Sequence, residues 1–518
     1  MHYKMESLEQ LVHALSGAEK RYFTLFSETF AQQGQPPLYL KLFHGIAKPA
    51  TELPDFEKEI SEQAFTTTKK RLFRNILKAM GVFHHDRSPD IIIQNCLNET
   101  EILFHLNLPD QSLFPLTKGY ELAVRHEKFG LWLQLLEWER RLNLVLDKPT
   151  RSSEMIRAEE REVLAKMQQV MDLEFIYGRA KELKKKYGYV KGVMKTSLKR
   201  DTIADKSMPV SAGCLSRKAL YYYDFIHALY YWMTFEHGKA YEYSKNLLKL
   251  DVQLVLPEDY IDGILEHVTS CVCIGNFVSA LNGLSIAELY LEEHKLHLSN
   301  AYRLKLFYYK VSYHIIIYNY TGRRSRLLAT VNAAEQELKQ LEGQLTMESK
   351  LVITGNLMNA YLGLGNHKKV NELWDSMFRK QHQSSRRDIY DDLYLFRLFH
   401  LLQTGTYEVL PAMANSAFKY YRKFKDHQKH FSLELGIATL LSKERDYSKT
   451  EIRRELFQQI SAMLERHLNS LKGVNGFQEH YTLYVIWIES LLNERPFYED
   501  AARWHKGFKE RTLEVGIA

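Results

Sequence analysis

The sequence predicts an all-α protein, an α-solenoid of antiparallel helix pairs, and three observations support that prediction. Apolar residues recur three and four positions apart along most of the chain, which is the spacing of amphipathic helices. Glycines recur between such stripes at a nearly constant interval. The 518 residues include 12 prolines and 25 glycines, a low content that favours long helices over turn-rich sheets. No stretch alternates between apolar and polar residues for long enough to predict a strand.

One stretch displays the repeating unit most clearly, GNLMNAYLGLGNHKKVNELWDSMF, which runs from Gly355 to Phe378. Apolar or small side chains form one helical stripe that ends at Leu364 and a second stripe that begins at Val370. Between the stripes, Gly365 and the asparagine that follows it have the chemistry of a turn. A single helical hairpin cannot bury both of its apolar faces, so we expect neighbouring pairs to stack on it.

The same pattern recurs on both sides of this hairpin. Its turn glycines lie 47, 43 and 40 residues apart, at Gly275, Gly322, Gly365 and Gly405. Recurring helical pairs at this interval indicate a solenoid with repeats of about 40 to 47 residues. The pattern assigns a helix-packing role to ten residues: Tyr231, Ala240, Gly275, Ala280, Tyr318, Gly322, Tyr361, Gly365, Val370 and Gly405.

The spacing Tyr-x3-Gly-x-aromatic-x2-Ala within these pairs resembles the tetratricopeptide repeat. The usual period of that repeat is about 34 residues, so the longer interval here implies longer helices or longer loops. Near the N-terminus LSGAEKRYFTLFSETF and YLKLFHGI, and later LLEWERRL, are similar to tetratricopeptide-like helical-repeat proteins common in Bacteroidota. That group has no assigned activity, so the resemblance implies a fold and leaves the function open.

Differences in sequence pattern along the chain predict four segments. Residues 1–90 form a small helical domain, and residues 91–200 form helical pairs followed by a long charged helix. The tetratricopeptide-like repeats occupy residues 216–430, after a linker that contains a proline and a glycine, and residues 431–518 form a C-terminal helical cap. A chain of this length exceeds the size at which a single core stops growing, so several domains or a repeat array are expected.

Composition limits the partners and the cellular compartment that we expect for the protein. The net charge of +7 results from 70 basic and 63 acidic residues, a weaker basic excess than a dedicated nucleic-acid-binding protein usually has. The four cysteines give no disulfide framework, which favours a reducing compartment. The first residues lack the apolar core of a signal peptide, and the most apolar runs are too short to span a bilayer. We therefore expect a soluble cytoplasmic protein without membrane insertion.

Enzyme signatures are absent from the sequence, so we predict no catalytic residues, no bound metal and no cofactor. The chain has no Walker A, GxSxG, HExxH or GxGxxG sequence. Two histidine pairs, His294 with His297 and His427 with His430, have the spacing of one helix face, but no further ligands accompany them. Cys271 occupies a packing position and is expected in the core.

A stack of helical pairs has a concave groove, in which such proteins bind their partners. The sequence therefore predicts a non-enzymatic scaffold for protein–protein interaction, which holds a peptide or partner protein of unknown identity in this groove. Candidate contacts are residues on the first helices of the pairs that do not fit the apolar stripes: Asn319, Tyr320, Asn356, Asn359 and Arg397. Ordinary exposed helix surface is the alternative interpretation of each.

Basic clusters support an alternative function, a nucleic-acid-linked regulator whose repeats sense a ligand or partner. The stretch TTTKKRLFRNILK places five cations on one predicted helix of the N-terminal domain: Lys69, Lys70, Arg71, Arg74 and Lys78. Such a helix can contact phosphate groups as part of a helix-turn-helix. A second cluster, Lys181 to Arg200, carries eight basic residues with tyrosines between them. Both clusters are also typical of solvated helix faces.

Overall fold

The computed structural model of the protein describes residues 5–30, 35–47, 61–86, 88–190, 192–294, 299–341, 343–379, 387–423, 431–470 and 479–514. Within these ranges the chain forms 23 α-helices, three short 3-10 helices and no β-strand. The helices pack in neighbouring pairs along the chain. The all-α prediction is therefore confirmed.

The chain divides into two compact units, Met1–Leu164 and Ala165–Ala518. The division falls inside one long charged helix, Ser153–Tyr187. The segment boundaries that the sequence predicts lie near residues 90, 200 and 430, where composition changes. Composition follows local helix and loop content, whereas the division between units follows contacts between distant parts of the chain.

The first unit is a set of short and medium-length helices. Buried side chains of its first four helices form a core of their own, in which Phe23 and Leu72 are completely buried. Ser16 begins the second helix with a capping box, because its side chain accepts from the N–H of Glu19 and its own N–H donates to the Glu19 carboxylate. The described helices that begin in this unit are α1 (Met5–Ala14), α2 (Gly17–Glu28), α3 (Leu38–Ala47), α4 (Glu62–Phe83), α5 (Pro89–His105), α6 (Pro109–Arg125), α7 (Phe129–Asn143) and α8 (Ser153–Tyr187).

The second unit contains the end of α8 and a longer series of helices. From α10 onward, successive helices pack against one another, and several first helices of a pair also contact the first helix of the next pair. The remaining helices described in this unit are α9 (Val193–Asp201), α10 (Arg217–Met233), α11 (His237–Leu247), α12 (Pro257–Cys273), α13 (Phe277–Glu293), α14 (Asn300–Tyr320), α15 (Arg324–Gln340), α16 (Met347–Leu364), α17 (His367–Arg379), α18 (Arg387–Thr404), α19 (Leu410–Arg422), α20 (Ser432–Leu441), α21 (Thr450–Ser470), α22 (Glu479–Leu492) and α23 (Phe497–Glu514).

The turn between the two helices of a pair repeats one backbone geometry. Gly365 follows the last residue of α16 with a φ of 76°, in the left-handed region. Its N–H donates to the carbonyl of Leu362 at 3.1 Å, and the N–H of Asn366 donates to the carbonyl of Tyr361 at 2.8 Å. These two bonds form a Schellman cap, which satisfies carbonyls at the end of a helix. The positive φ and the second bond recur at the other predicted turn glycines: Gly275, Gly322 and Gly405.

Four further helix ends have this geometry without a glycine. In the second unit Phe235 and Glu494 have φ values of 63° and 50°, and in the first unit Asn107 and Glu127 have φ values of 61° and 50°. In each case the next N–H donates to the carbonyl five residues earlier, at 2.9–3.0 Å. This conformation costs a residue with a side chain about 1 kcal/mol or more. Phe235 adds one more turn to the series, 40 residues before Gly275, where a search for glycines cannot find it.

The residues predicted to pack between helices differ in burial. Ala240, Ala280 and Val370 are completely buried, and Tyr361 is nearly so. The hydroxyl of Tyr361 donates to Glu335 on the neighbouring helix α15 at 2.5 Å, which satisfies the polar end of a buried ring. Two predicted packing residues are half-buried: Tyr231 and Tyr318.

The last two helices pack back onto the middle of the second unit. α22 contacts α18, and α23 contacts both α14 and α16. The backbone of α23 passes so close to Gly322 that a Cβ atom there would overlap the carbonyl oxygen of Tyr498. The rings of Tyr320 and Trp504 lie 6.0 Å apart across this contact. The segment predicted as a C-terminal cap therefore shares its core with the preceding helices.

Alanine substitution at two glycines separates backbone strain from packing. In the described structure no atom from outside the local chain lies within 4 Å of the position that a Cβ atom would take at Gly365 or at Gly355. Gly365 has a positive φ, so Gly365→Ala should lower the free energy of unfolding by about 1 kcal/mol. Gly355 lies inside α16, so Gly355→Ala should raise it by about 0.5–1 kcal/mol. Urea denaturation measures both changes, and effects of equal sign would contradict the assigned turn.

Candidate functional site

The second unit contains a cavity of about 590 Å³ that is lined by five helices, α8, α10, α12, α14 and α16. Cavities of this size commonly hold ligands in proteins. Each of the last four is the first helix of a pair, and α8 precedes them in the chain. The cavity is therefore built from elements that lie far apart in sequence.

Helix α12 is a deeply buried wall of the cavity. Every residue from Ile261 to Cys273 is buried. Polar residues nevertheless recur along one of its faces, with the spacing that places side chains on the same side of a helix. Four cavity-lining residues follow this spacing: Asp262, Glu266, Thr269 and Cys273.

Helix α14 lines the cavity with a second stripe, which extends from Ala301 to Ile316 and is rich in tyrosine. The hydroxyl of Tyr313 donates to Oγ1 of Thr269 at 2.6 Å and joins α14 to α12. Burial, reinforced by neighbouring tyrosines, raises the pKa of both Tyr309 and Tyr313 well above the ordinary value. These phenols therefore remain neutral hydrogen-bonding groups near neutral pH.

Lysines neutralise the two buried carboxylates of the cavity wall. Asp262, whose side chain is 3% exposed, accepts from Lys181 at 2.6 Å and from Lys305 at 2.5 Å. Glu266 accepts from Lys184 at 2.6 Å. A buried charge without a partner would lose much of its hydration energy, so each carboxylate depends on its lysines. Together the pairs join α8, α12 and α14 around the cavity.

Aromatic rings surround the cavity near the end of α10. Tyr189 stacks on Trp232 and on Phe235, with ring centroids 4.4 and 4.2 Å apart. The ammonium group of Lys184 lies 4.3 Å from the centroid of the Trp232 ring. Phe235 is the residue that takes the left-handed conformation in place of a turn glycine. Its stacking on Tyr189 offsets the backbone strain of that turn.

The five predicted partner contacts lie in different environments. Asn356 lines the cavity, and Asn359 lies about one turn further along α16, half-buried and outside the lining. Arg397 lies on α18, where its guanidinium covers a tryptophan ring at 4.8 Å from the centroid. Asn319 and Tyr320 are 3% and 1% exposed. Of the five, Asn356 alone lines the cavity in the described structure.

Two of these residues face the core, Tyr320 against the C-terminal helix and Asn319 beside α16. The ring of Tyr320 lies 5.9 Å from Phe277 and 6.0 Å from Trp504 of α23. Asn319 lies beside Gly363, where a Cβ atom would come within 2.9 Å of its side-chain oxygen. Neither side chain presents surface to a partner, so the interpretation of Asn319 and Tyr320 as groove residues is corrected.

The predicted nucleic-acid contacts lie in the first unit, on α4. Lys69 is half-buried, with its ammonium group 4.5 Å from the ring centroid of Phe65. The guanidinium of Arg71 lies 5.4 Å from the ring centroid of Tyr39. Four cations of this helix are exposed: Lys70, Arg71, Arg74 and Lys78.

The second basic cluster is partly engaged inside the second unit. Lys181 and Lys184 form the ion pairs of the cavity wall. Lys195 donates to the carbonyl of Thr234 at 2.9 Å, and burial lowers its pKa. These three lysines are therefore committed to internal contacts, which weakens the case for phosphate binding by this cluster.

Three side chains at another face of α12 resemble a catalytic arrangement but are packed in the core. Oγ of Ser244 lies 3.2 Å from Nδ1 of His267, and Sγ of Cys271 lies 3.3 Å from Nε2 of the same ring. Burial raises the pKa of Cys271 to about 12 and lowers the pKa of His267 to about 4. The reactive thiolate is therefore scarcely populated near neutral pH.

The histidine pairs give no site in the described structure. His297, His427 and His430 lie outside the described residues. Among the residues that are described, no group of three or more His, Cys, Asp or Glu side chains is placed to hold a metal ion. The described helices include none with the length and apolar character that a membrane span requires.

No protein family, no curated protein and no solved structure matches the chain. The resemblance to tetratricopeptide-like proteins of Bacteroidota therefore remains a prediction from the quoted motifs. The function has to be inferred from the chemistry of the cavity and of the exposed surfaces.

Removal of the Asp262 carboxylate, which two lysines share, tests whether the ion pairs stabilise the walls of the cavity. Asp262→Asn leaves Lys181 and Lys305 without their counter-charge. Since both lysines reach solvent, we expect the free energy of unfolding to fall by about 2 kcal/mol, less than for a fully buried charge. The control Glu242→Gln breaks an exposed ion pair with Lys245 and should be nearly neutral. Urea denaturation measures the free energy of unfolding of both variants. Equal decreases in the two would contradict a structural role for Asp262.

Proposed function

We propose that the protein is a non-enzymatic scaffold of the tetratricopeptide-like helical-repeat type, which binds an extended segment of a partner protein in the cavity of its second unit. The observation that carries this proposal is the cavity, to which the first helices of four consecutive pairs each contribute one wall. In stacked helical repeats the inner helices line the binding groove in this way.

The chemistry of the lining suits a peptide. Leu304, Ile316 and Val352 offer apolar contacts to side chains of the bound segment. Tyrosine hydroxyls and the amide of Asn356 offer hydrogen bonds to its backbone. Tyrosine is also common at protein interfaces, because one ring combines apolar area with a polar end.

The same lining argues for binding rather than catalysis. Lys181, Lys184 and Lys305 are engaged in ion pairs with carboxylates, which makes their amino groups poor nucleophiles. The raised pKa values of Tyr309 and Tyr313 keep these phenols protonated as well. None of these groups supplies an activated nucleophile near neutral pH.

An arginine placed inside the cavity should block the partner. Val352 lines the cavity from α16, so Val352→Arg puts a long side chain into the space that the partner segment would occupy. The control is Met347→Arg, on the same helix but 62% exposed and outside the lining. Tagged wild type and both variants are used to capture proteins from the native host after nuclease treatment at moderate salt. We expect at least one protein that wild type and Met347→Arg capture in similar amounts. The captured amount of that protein should be about tenfold or more lower with Val352→Arg.

Thermal melting first establishes that Val352→Arg folds like the wild type. Retention of the same proteins by all three forms would contradict binding in the cavity. Retention of nucleic acid that nuclease removes would favour the second candidate function instead.

That second candidate is nucleic-acid-linked regulation through the first unit. The exposed face of α4 supports it, since Arg71, Arg74 and Lys78 follow one another at three- and four-residue spacing. Cations along one helix face can contact successive phosphate groups of a duplex.

Neutralising this face tests the second candidate. A variant with glutamine at Lys70, Arg71, Arg74 and Lys78 should lose about tenfold or more of its affinity for duplex DNA at low salt, measured by fluorescence anisotropy. The control variant carries glutamine at four exposed cations of the other cluster: Lys185, Lys186, Lys199 and Arg200. Equal weakening in both variants would indicate nonspecific attraction and would contradict a nucleic-acid site on α4.

A further inference from the structure

Three cavity-lining side chains hold a buried polar atom to which no other described residue offers a hydrogen bond. They are Nε1 of Trp232, Oε1 of Glu266 and Oγ of Ser312. The three residues are 8%, 3% and 3% exposed. Nearly all buried polar atoms in folded proteins are paired, because an unpaired one loses stability. Three such atoms around a single cavity point to a ligand that completes them.

Two of the three residues share Lys184 as a neighbour, and the third lines the same cavity from α14. Nζ of Lys184 lies 2.6 Å from the other carboxylate oxygen of Glu266 and 4.3 Å from the centroid of the Trp232 ring. The residue after Ser312 donates its hydroxyl hydrogen to Thr269, which lies about one helical turn from Glu266. A ligand group beside Lys184 can therefore approach Trp232 and Glu266 together, and Ser312 offers a further hydrogen bond from the wall that α14 forms.

The hydrogen-bonding capacity of these atoms defines the ligand group. The indole N–H of Trp232 can only donate, and the carboxylate of Glu266 can only accept. The serine hydroxyl can do either. The ligand group must therefore both accept and donate. A carboxylate lacks the donor that Glu266 requires, and an ammonium group lacks the acceptor that Trp232 requires.

Charge and shape further limit which chemical group the ligand can present here. Lys184 already balances the charge of Glu266, so a charged ligand group would find no counter-charge of its own beside these atoms. The faces of the Tyr189 and Trp232 rings are already in contact with neighbours, so the ligand group meets the edge of the Trp232 ring, where Nε1 lies, and a flat group fits there best. A carboxamide is flat and uncharged, and it carries both a donor and an acceptor.

We propose that this part of the cavity is a carboxamide subsite, which binds the side chain of an asparagine or glutamine in the partner segment. The carboxamide N–H donates to Oε1 of Glu266, and its oxygen accepts from Nε1 of Trp232. The entering group displaces the side chains that shield these atoms from water. The subsite rests on the proposed function, because it assumes that a peptide segment occupies the cavity.

The probe is a set of random peptides displayed on phage and selected on the immobilised full-length protein. Peptides whose binding Val352→Arg abolishes are synthesised, and their dissociation constants are measured by calorimetry. We expect these peptides to share an asparagine or glutamine. Its replacement by aspartate or glutamate should weaken binding by about tenfold or more, since the subsite loses its donor and gains a charge.

Two conservative variants test the protein side of the subsite. Trp232→Phe and Ser312→Ala each remove one unpartnered polar atom and should weaken binding by about threefold to tenfold. Ser312→Ala should leave the thermal midpoint unchanged, because no hydrogen bond within the described structure is lost. Trp232→Phe also trims a buried ring that packs on Tyr189 and lies beside Lys184, so its midpoint should fall slightly, as in the matched tryptophan control. Matched controls are Trp487→Phe and Ser270→Ala, whose polar atoms are also buried and unpartnered among the described residues but lie outside the cavity lining.

Four outcomes separate the possibilities. Weaker binding in Trp232→Phe and Ser312→Ala with unchanged controls supports the subsite. Unchanged affinity in those variants, or selected peptides without a required asparagine or glutamine, overturns the subsite while peptide binding in the cavity stands. Equal weakening in the cavity variants and the controls also overturns it. Failure to select any peptide that depends on Val352, together with no captured protein, overturns the subsite and the proposed function together.

Discussion

The conformation of one residue at the end of the first helix of a pair constrains the rest of the second unit. A helix ends with carbonyls that lack an intrahelical partner, and a left-handed residue lets the next N–H groups reach them while the chain reverses direction. Gly275 and Gly365 do this without steric cost, whereas Phe235 does it under strain. Because the same turn recurs, the first helices line the same cavity. The inward stripes of α12 and α14 follow from that placement.

The sequence predicts most of this framework, because helices and their turns are local features. Apolar spacing indicates where α16 and α17 run, and Gly365 marks the turn between them. The turn at Phe235 has no local signal, since a bulky aromatic residue disfavours a positive φ. Its stability comes from stacking on Tyr189, which approaches from another part of the chain. Tertiary contacts of this kind override local propensity and remain invisible to periodicity.

The sequence predicts the candidate site less well than the helices, because the site also depends on tertiary contacts. A polar stripe in the otherwise apolar helix α12 was a readable signal, because Asp262 and Glu266 share one helical face with Thr269. Their partners Lys181 and Lys184 lie 81 and 82 positions away, so the ion pairs could not be inferred from spacing. Instead, these lysines suggested a solvated or phosphate-binding cluster. Tyr320 suggested an open groove because nothing local indicates that Trp504 covers it.

The return of α23 to the middle of the second unit affects how the chain is made. A row of helical pairs can fold progressively as each pair leaves the ribosome and stacks on the one before it. Here α14 and α16 emerge well before the helix that covers them, so the apolar surface around Tyr320 faces water in the interval. The newly made protein is therefore exposed to aggregation and to proteases during that interval. Closure of this surface has to wait until α23 is released.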